Sequence, residues 1–89
     1  MPSTNLKIIN RLGLHARAAA KFMQTAASFT CEVWVEKQAK RVNGKSIMGL
    51  MMLAAAQGSE LVVTTVGEDE EAALQALLTL VNNRFGEPE

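Results

Sequence analysis

The sequence predicts an α+β fold in which an antiparallel sheet carries helices on one face, and three observations lead there. Apolar and polar residues alternate over several short segments, the period of two that half-buried strands require. Between those segments the apolar spacing lengthens to that of an amphipathic helix. The resulting order, β-α-β-β-α-β-α, splits the strands in the way that suits an antiparallel sheet covered on one side.

Leu6 and Ile8 alternate with polar neighbours and place a first strand over Leu6 to Asn10. From Ala16 to Ser28, the side chains of Ala16, Ala19, Phe22, Met23 and Ala26 share one helical face. Cys31, Val33 and Val35 then alternate with Thr30, Glu32, Trp34 and Glu36, a second strand. Lys37 to Ala39 turn the chain into a short strand around Arg41 and Val42, which Asn43-Gly44 terminates. Ser46 reads as the N-cap of a short helix ending near Gly58. Leu61 to Val66 is apolar on both faces, which places it at the centre of the sheet. Glu68 to Glu71 lead a final helix with Leu74, Leu77, Leu78, Val81 and Phe85 on one face. Its acids come first and Arg84 near its end, the order the helix dipole favours. No linker, repeat or low-complexity stretch interrupts the pattern, so residues 1–89 are expected to form a single domain.

Composition excludes several classes of function. An apolar fraction of 48% over 89 residues is ample for one small core. The formal net charge is zero, the aromatic content is 4% and tyrosine is absent, which argues against nucleic-acid binding. The single cysteine, Cys31, excludes an internal disulfide and favours a reducing, cytoplasmic setting. Neither an apolar run long enough for a bilayer nor a signal-peptide start is present, so membrane insertion is not expected. His15 and Cys31 are too few soft ligands for a structural metal site, and no metal is expected.

The chemistry concentrates in Gly13-Leu14-His15-Ala16-Arg17, which holds the only histidine of the chain. His15 opens a helix, where unpaired backbone N–H groups and the positive end of the dipole attract anions. A neutral imidazole there is a nucleophile beside an anion site, and Arg17 adds a fork of donors suited to phosphate. Arg17 and Lys21 stand four apart on the polar helix face, mildly unfavourable neighbours without an anion to share. The simpler alternatives are a capping histidine and an ordinary solvated face. A hydrolytic enzyme using His15 as its base is a rival, but no nucleophile motif or orienting carboxylate lies nearby in the sequence. A non-catalytic binding module is the other.

A second stretch, Lys45 to Leu53, begins a run without charge from Ser46 to Ser59. Ile47, Leu50, Met51 and Ala54 form one face fit for burial, leaving Met48 and Met52 to point elsewhere. So small a domain cannot enclose them all, and adaptable methionines suit a docking patch as well as they fill core gaps. Ser46 is suited to N-capping, and a phosphoryl group there would add negative charge beside that patch.

Asn10-Arg11-Leu12-Gly13-Leu14-His15-Ala16-Arg17 resembles the phosphorylation-site signature of the HPr family. These are the histidine-containing phosphocarriers of the bacterial phosphoenolpyruvate-dependent phosphotransferase system. Asn43-Gly44-Lys45-Ser46-Ile47-Met48-Gly49 resembles the family's second signature, around a regulatory serine, and the likeness spans essentially the whole chain. It implies an open-faced β-sandwich, a four-stranded antiparallel sheet covered on one face by three helices. It implies further that His15 accepts a phosphoryl group from phosphorylated enzyme I and passes it to a histidine of enzyme IIA domains, with Arg17 stabilising the phosphate. Ser46 becomes a regulatory site for a serine kinase and phosphorylase. Ala16, Ala20, Ile47, Met48, Met51 and Met52 become the docking surface of a monomeric, stoichiometric carrier that is not itself an enzyme and needs no cofactor. A paralogue devoted to regulation or nitrogen metabolism would share much of this, and the Ser46 motif favours the sugar-system carrier. The family usually has proline where this chain has Ala18. Alanine keeps the helix through its high propensity, with a looser first turn expected.

Overall fold

The computed structural model describes residues 2–89. Its elements are β1 (Ser3–Lys7), α1 (Ala16–Ala27), β2 (Glu32–Lys37), β3 (Lys40–Asn43), α2 (Ile47–Met52), β4 (Glu60–Val66), α3 (Glu70–Asn82) and a closing 3-10 turn, Arg84–Gly86. The strands form one antiparallel sheet in the order β1-β4-β2-β3. The doubly apolar β4 is internal, flanked on both sides as its sequence requires. Leu61, Val63 and Thr65 are buried while Val62, Thr64 and Val66 stay half-buried on the opposite face. Against the buried face pack Ala18, Ala19, Phe22 and Ala26 of α1, Leu50 of α2, and Ala73, Leu74, Leu77 and Val81 of α3.

Three boundaries and two buried faces differ from the sequence pattern. β1 spans Ser3–Lys7 rather than residues 6–10. The edge of β4 that β2 does not occupy gives polar Ser3, Thr4 and Asn5 partners in register with Thr64, Val63 and Val62. Ile8 still bonds across the pair, Ile8 N–H to Ser59 O at 2.9 Å and Gly58 N–H to Ile8 O at 2.7 Å, before the chain turns.

α2 stops at Met52 rather than near Gly58, because Ala54 takes a φ of 51° and reverses the chain. The alanines at 54–56 have high helix propensity, but lysine ammonium groups cap the helix end first. Lys37 Nζ donates to Leu53 O and Ala54 O at 3.1 and 3.0 Å, and Lys40 Nζ to Met52 O at 3.4 Å. α3 ends at Asn82, and Phe85 reaches the core through φ values of 56° at both Arg84 and Phe85 rather than along the helix face.

The buried faces also turn slightly. On α1, Ala18 is fully buried and Ala16 exposed; on α2 only Leu50 is buried, with Ile47 half-buried and Met51 and Ala54 exposed.

Asp69 fastens the start of α3 to the start of β2. Its carboxylate accepts from Thr30 N–H at 2.8 Å, Cys31 N–H at 2.9 Å and Thr30 Oγ at 3.3 Å. The Thr30 amide bond leads the contacts that hold its carboxyl below the ordinary aspartate value, against a smaller opposing effect of desolvation. Burial, with the neighbouring Asp69, pushes the Cys31 thiol up, so it stays protonated and inert at neutral pH.

A depressed folded-state pKa gives stability that is present above the unfolded value and lost as pH falls through the folded one. Denaturant unfolding at neutral and strongly acidic pH should therefore show a larger acid loss in the native chain than in Asp69→Asn. Equal losses would remove Asp69 from that role.

Candidate functional site

His15 is the N-cap residue of α1, with φ −77° and ψ −178°, yet its ring makes no capping bond. The first N–H groups of the helix have no intrahelical acceptor, and no acidic side chain occupies the first turn. Positive potential at that helix end is thus left unmatched by the chain's own capping groups.

The loop ahead of the ring is tightly specified. Gly13 has φ +69°, and a Cβ there would stand 2.6 Å from Ala55 O and 2.9 Å from Ala56 Cα. Only a residue without a side chain lets the backbone pass so close. Leu14 N–H donates to Ala55 O at 2.8 Å, and the fully buried Asn10 donates Nδ2–H to Gly13 O at 2.8 Å.

From the far end of the sequence, Glu87 completes the site. Its Oε2 is hydrogen-bonded to His15 Nε2, while its Oε1 accepts from Asn10 Nδ2 at 3.0 Å. The turn that carries it is anchored by buried Phe85 and by Lys21 Nζ, which donates to Phe85 O at 2.6 Å. Arg11 N–H donates to Glu89 O at 2.9 Å, and its guanidinium pairs with the Glu89 carboxylate at 3.2 Å. Burial acts to raise the Glu87 carboxyl pKa, but bonds from His15 and Asn10, with the charges of His15 and Lys21, outweigh it and hold it below the usual range.

This arrangement corrects two sequence expectations. Lys21 does not share an anion with Arg17; it is committed to the Phe85 carbonyl. An orienting carboxylate does stand at the histidine, brought from 72 residues away, where no local motif could announce it. The hydrolase reading gains little, since among the described residues no serine, threonine or cysteine side chain is bonded to His15.

Arg17 is exposed, and among the described residues its guanidinium has no hydrogen-bond or ion-pair partner. With Arg11, Leu12, Glu87, Pro88 and Glu89 it lines a recess of about 190 Å³. His15 faces a second recess of about 250 Å³, with Leu12, Leu14 and Ala54, Ala55 and Ala56. That recess joins the histidine to the chain leaving α2, whose outer side is apolar. Met48 is 72% exposed, Met52 65%, Met51 44%, and Leu12, which the sequence pattern did not single out, 63%. Ala16 is exposed, and Ala20 and Ile47 are half-buried. Ser46 is half-buried and accepts from Gly49 N–H at 3.1 Å, the N-cap bond its position predicts. Among the described residues no three His, Cys, Asp or Glu side chains cluster as metal ligands.

The family model described as PTS HPr component phosphorylation site matches residues 2–83. The chain belongs to the HPr family. It is 58% identical to the phosphocarrier protein HPr of Neisseria meningitidis and 53% identical to that of Pseudomonas aeruginosa, over the full length of each pair. The solved HPr-C-His of Thermoanaerobacter tengcongensis superimposes with a TM-score of 0.97 at 47% identity, covering 100% of both chains. The open-faced arrangement implied by the two signatures is therefore the fold observed, and the chain is an HPr phosphocarrier of the phosphotransferase system.

Gly13→Ala should cost about 1–3 kcal/mol of stability, from strain at positive φ and the clash with Ala55 O. Urea unfolding measures this. A cost within error of zero would show that the loop relaxes freely and does not position His15 through Gly13.

Proposed function

We propose that His15 is the residue that carries the phosphoryl group, accepting it from phosphorylated enzyme I and delivering it to a histidine of enzyme IIA domains. The observation that carries this reading is the state of the ring. Its Nε2 is engaged by Glu87, while the ring makes no capping bond, so Nδ1 is the nitrogen left for phosphorus.

The Nδ1 lone pair attacks phosphorus as the bond to the donor breaks and its electron pair leaves with the donor. Phosphoryl transfer of this kind needs mainly positioning and charge stabilisation. The N–H groups of the first turn of α1 and the uncommitted guanidinium of Arg17 supply acceptor sites for the phosphoryl oxygens. Neither a metal nor an organic cofactor enters the step on this chain. The protein is consumed and regenerated as a stoichiometric carrier, working as a monomer in the cytoplasm. Among the described residues no helix is long and apolar enough to cross a membrane.

Partners dock, in this reading, over Ala16, Ala20, Ile47, Met48, Met51 and Met52, with Leu12 extending the patch to the histidine. Phosphorylation of Ser46 by a serine kinase, reversed by a phosphorylase, would place about −1.5 to −2 charges against the exposed methionines. Docking is then blocked by desolvation and charge while the short helix keeps its fold. The uncommitted Arg17 beside His15 favours a working carrier over a paralogue confined to regulation.

Incubation with phosphoenolpyruvate, magnesium and enzyme I should add one acid-labile phosphoryl group by intact mass, and none in His15→Ala. A gain retained in His15→Ala would assign the group to another residue. Arg17→Ala should slow transfer by roughly ten- to a hundredfold, the worth of one charge-assisted bond, at near-normal stability. Unchanged transfer would remove its role. Ser46→Asp should weaken binding to enzyme I in a titration, and an unaltered Kd would reject the charge-block reading.

A further inference from the structure

A neutral imidazole keeps its proton on one nitrogen and its lone pair on the other, and the partner of one nitrogen decides which is which. In this chain that partner is Glu87, whose Oε2 accepts at His15 Nε2. The carboxylate is not a surface group in passing contact: its side chain is 11% exposed and that of His15 27%.

Glu87 is fixed in turn by Asn10. The Asn10 amide is fully buried, with Nδ2–H shared between Gly13 O and Glu87 Oε1. Its orientation is determined by those two acceptors, because the flipped amide would set Oδ1 against a carbonyl and a carboxylate together. Behind Glu87 the turn is pinned at Phe85 and Glu89 by Lys21 and Arg11. The segment from Phe85 to Glu89 is thus held at several points onto α1 and the loop that presents the histidine.

We propose that Glu87 is a positioning residue for phosphoryl transfer, its carboxylate holding the His15 proton on Nε2 so that Nδ1 meets phosphorus with a free lone pair. The proposal rests on His15 being the phosphoryl acceptor. When the Nδ1–P bond forms and the donor leaves with its pair, the ring becomes a cation still carrying Nε2–H, and that proton already faces a carboxylate. On delivery the Nδ1–P bond breaks, the pair returns to Nδ1 and the ring is neutral again, with its proton where it began. The carboxylate therefore favours acceptance through the tautomer and supports the charged carrier through the ion pair. It does so from the nitrogen that does not hold the phosphoryl group.

Ring ¹⁵N chemical shifts of the neutral histidine give the tautomer directly, and intact mass against time gives the rate with enzyme I. In the native chain the Nε2–H form should dominate. Glu87→Ala should move the shifts towards a mixture and slow acceptance by roughly tenfold, the loss of one bond to a charged group. Glu87→Gln keeps one acceptor oxygen for two donors, His15 Nε2–H and Asn10 Nδ2–H, and should restore the tautomer and the rate only in part.

A native chain dominated by Nδ1–H overturns the proposal, as does a Glu87→Ala protein unchanged in tautomer and rate. So does a Glu87→Ala protein that is slower or less stable with its tautomer unmoved, which would make the contact merely structural. If the native chain gains no phosphoryl mass at all, the carrier reading of His15 fails first. The ¹⁵N shifts would then still report whether the Glu87–His15 bond exists.

Discussion

The site depends on one buried amide. Asn10 lies at 0% exposure and its Nδ2 joins two parts of the chain, the Gly13 carbonyl just ahead of His15 and the Glu87 carboxylate near the C-terminus. A buried donor must be paired or it costs stability, so the two N–H groups of Asn10 Nδ2 demand both acceptors at once, while its buried Oδ1 has no hydrogen-bond partner among the described residues. Meeting that demand requires the loop and the terminal turn to lie side by side, and His15 is caught between them. The histidine is thus presented by a closed ring of hydrogen bonds running Gly13, Asn10, Glu87, His15.

The rest of the fold serves that closure. β1 must end before Asn10 for the loop to form, and its last cross-strand bonds are made at Ile8. Gly13 must approach Ala55, which requires α2 to stop early and the chain to turn at Ala54. The terminal turn must be pulled in from α3, and it is, by burial of Phe85 and by Lys21 reaching across from α1. The helix that His15 opens then needs no acid of its own, because the negative charge at the site is supplied by Glu87, which meets the histidine ring at Nε2. Arg17 and the helix N–H groups stay open to an anion. A carrier must release what it accepts, and a site built from a few solvent-facing donors stabilises a phosphoryl group only modestly.

Much of this was legible in the chain. Strand alternation in Cys31 to Val35 and the doubly apolar run at Leu61 to Val66 placed β2 and the central β4, and Ser46 announced its cap. His15 and Arg17 could be read as an anion site from residue types alone, and the two signatures supplied the family. What could not be read has a common cause: it lies between residues far apart in sequence. No local period reveals that Glu87 returns to His15, that Lys21 serves a carbonyl at position 85, or that lysines from β2 and β3 end α2 inside an alanine-rich stretch of high helix propensity. Phe85 was assigned to the core correctly but by the wrong route, since two residues at positive φ deliver it rather than a continuing helix.

Which ring nitrogen of His15 bears the phosphoryl group is the decisive question, because Glu87 already holds Nε2. Phosphorylating ¹⁵N-histidine-labelled protein and recording ring ¹⁵N shifts with their couplings to ³¹P identifies that atom. A phosphoramidate at Nδ1, with Nε2 still protonated, is the predicted result. Phosphorus on Nε2 would mean that the Glu87 contact is given up before transfer, and would contradict the account at its centre.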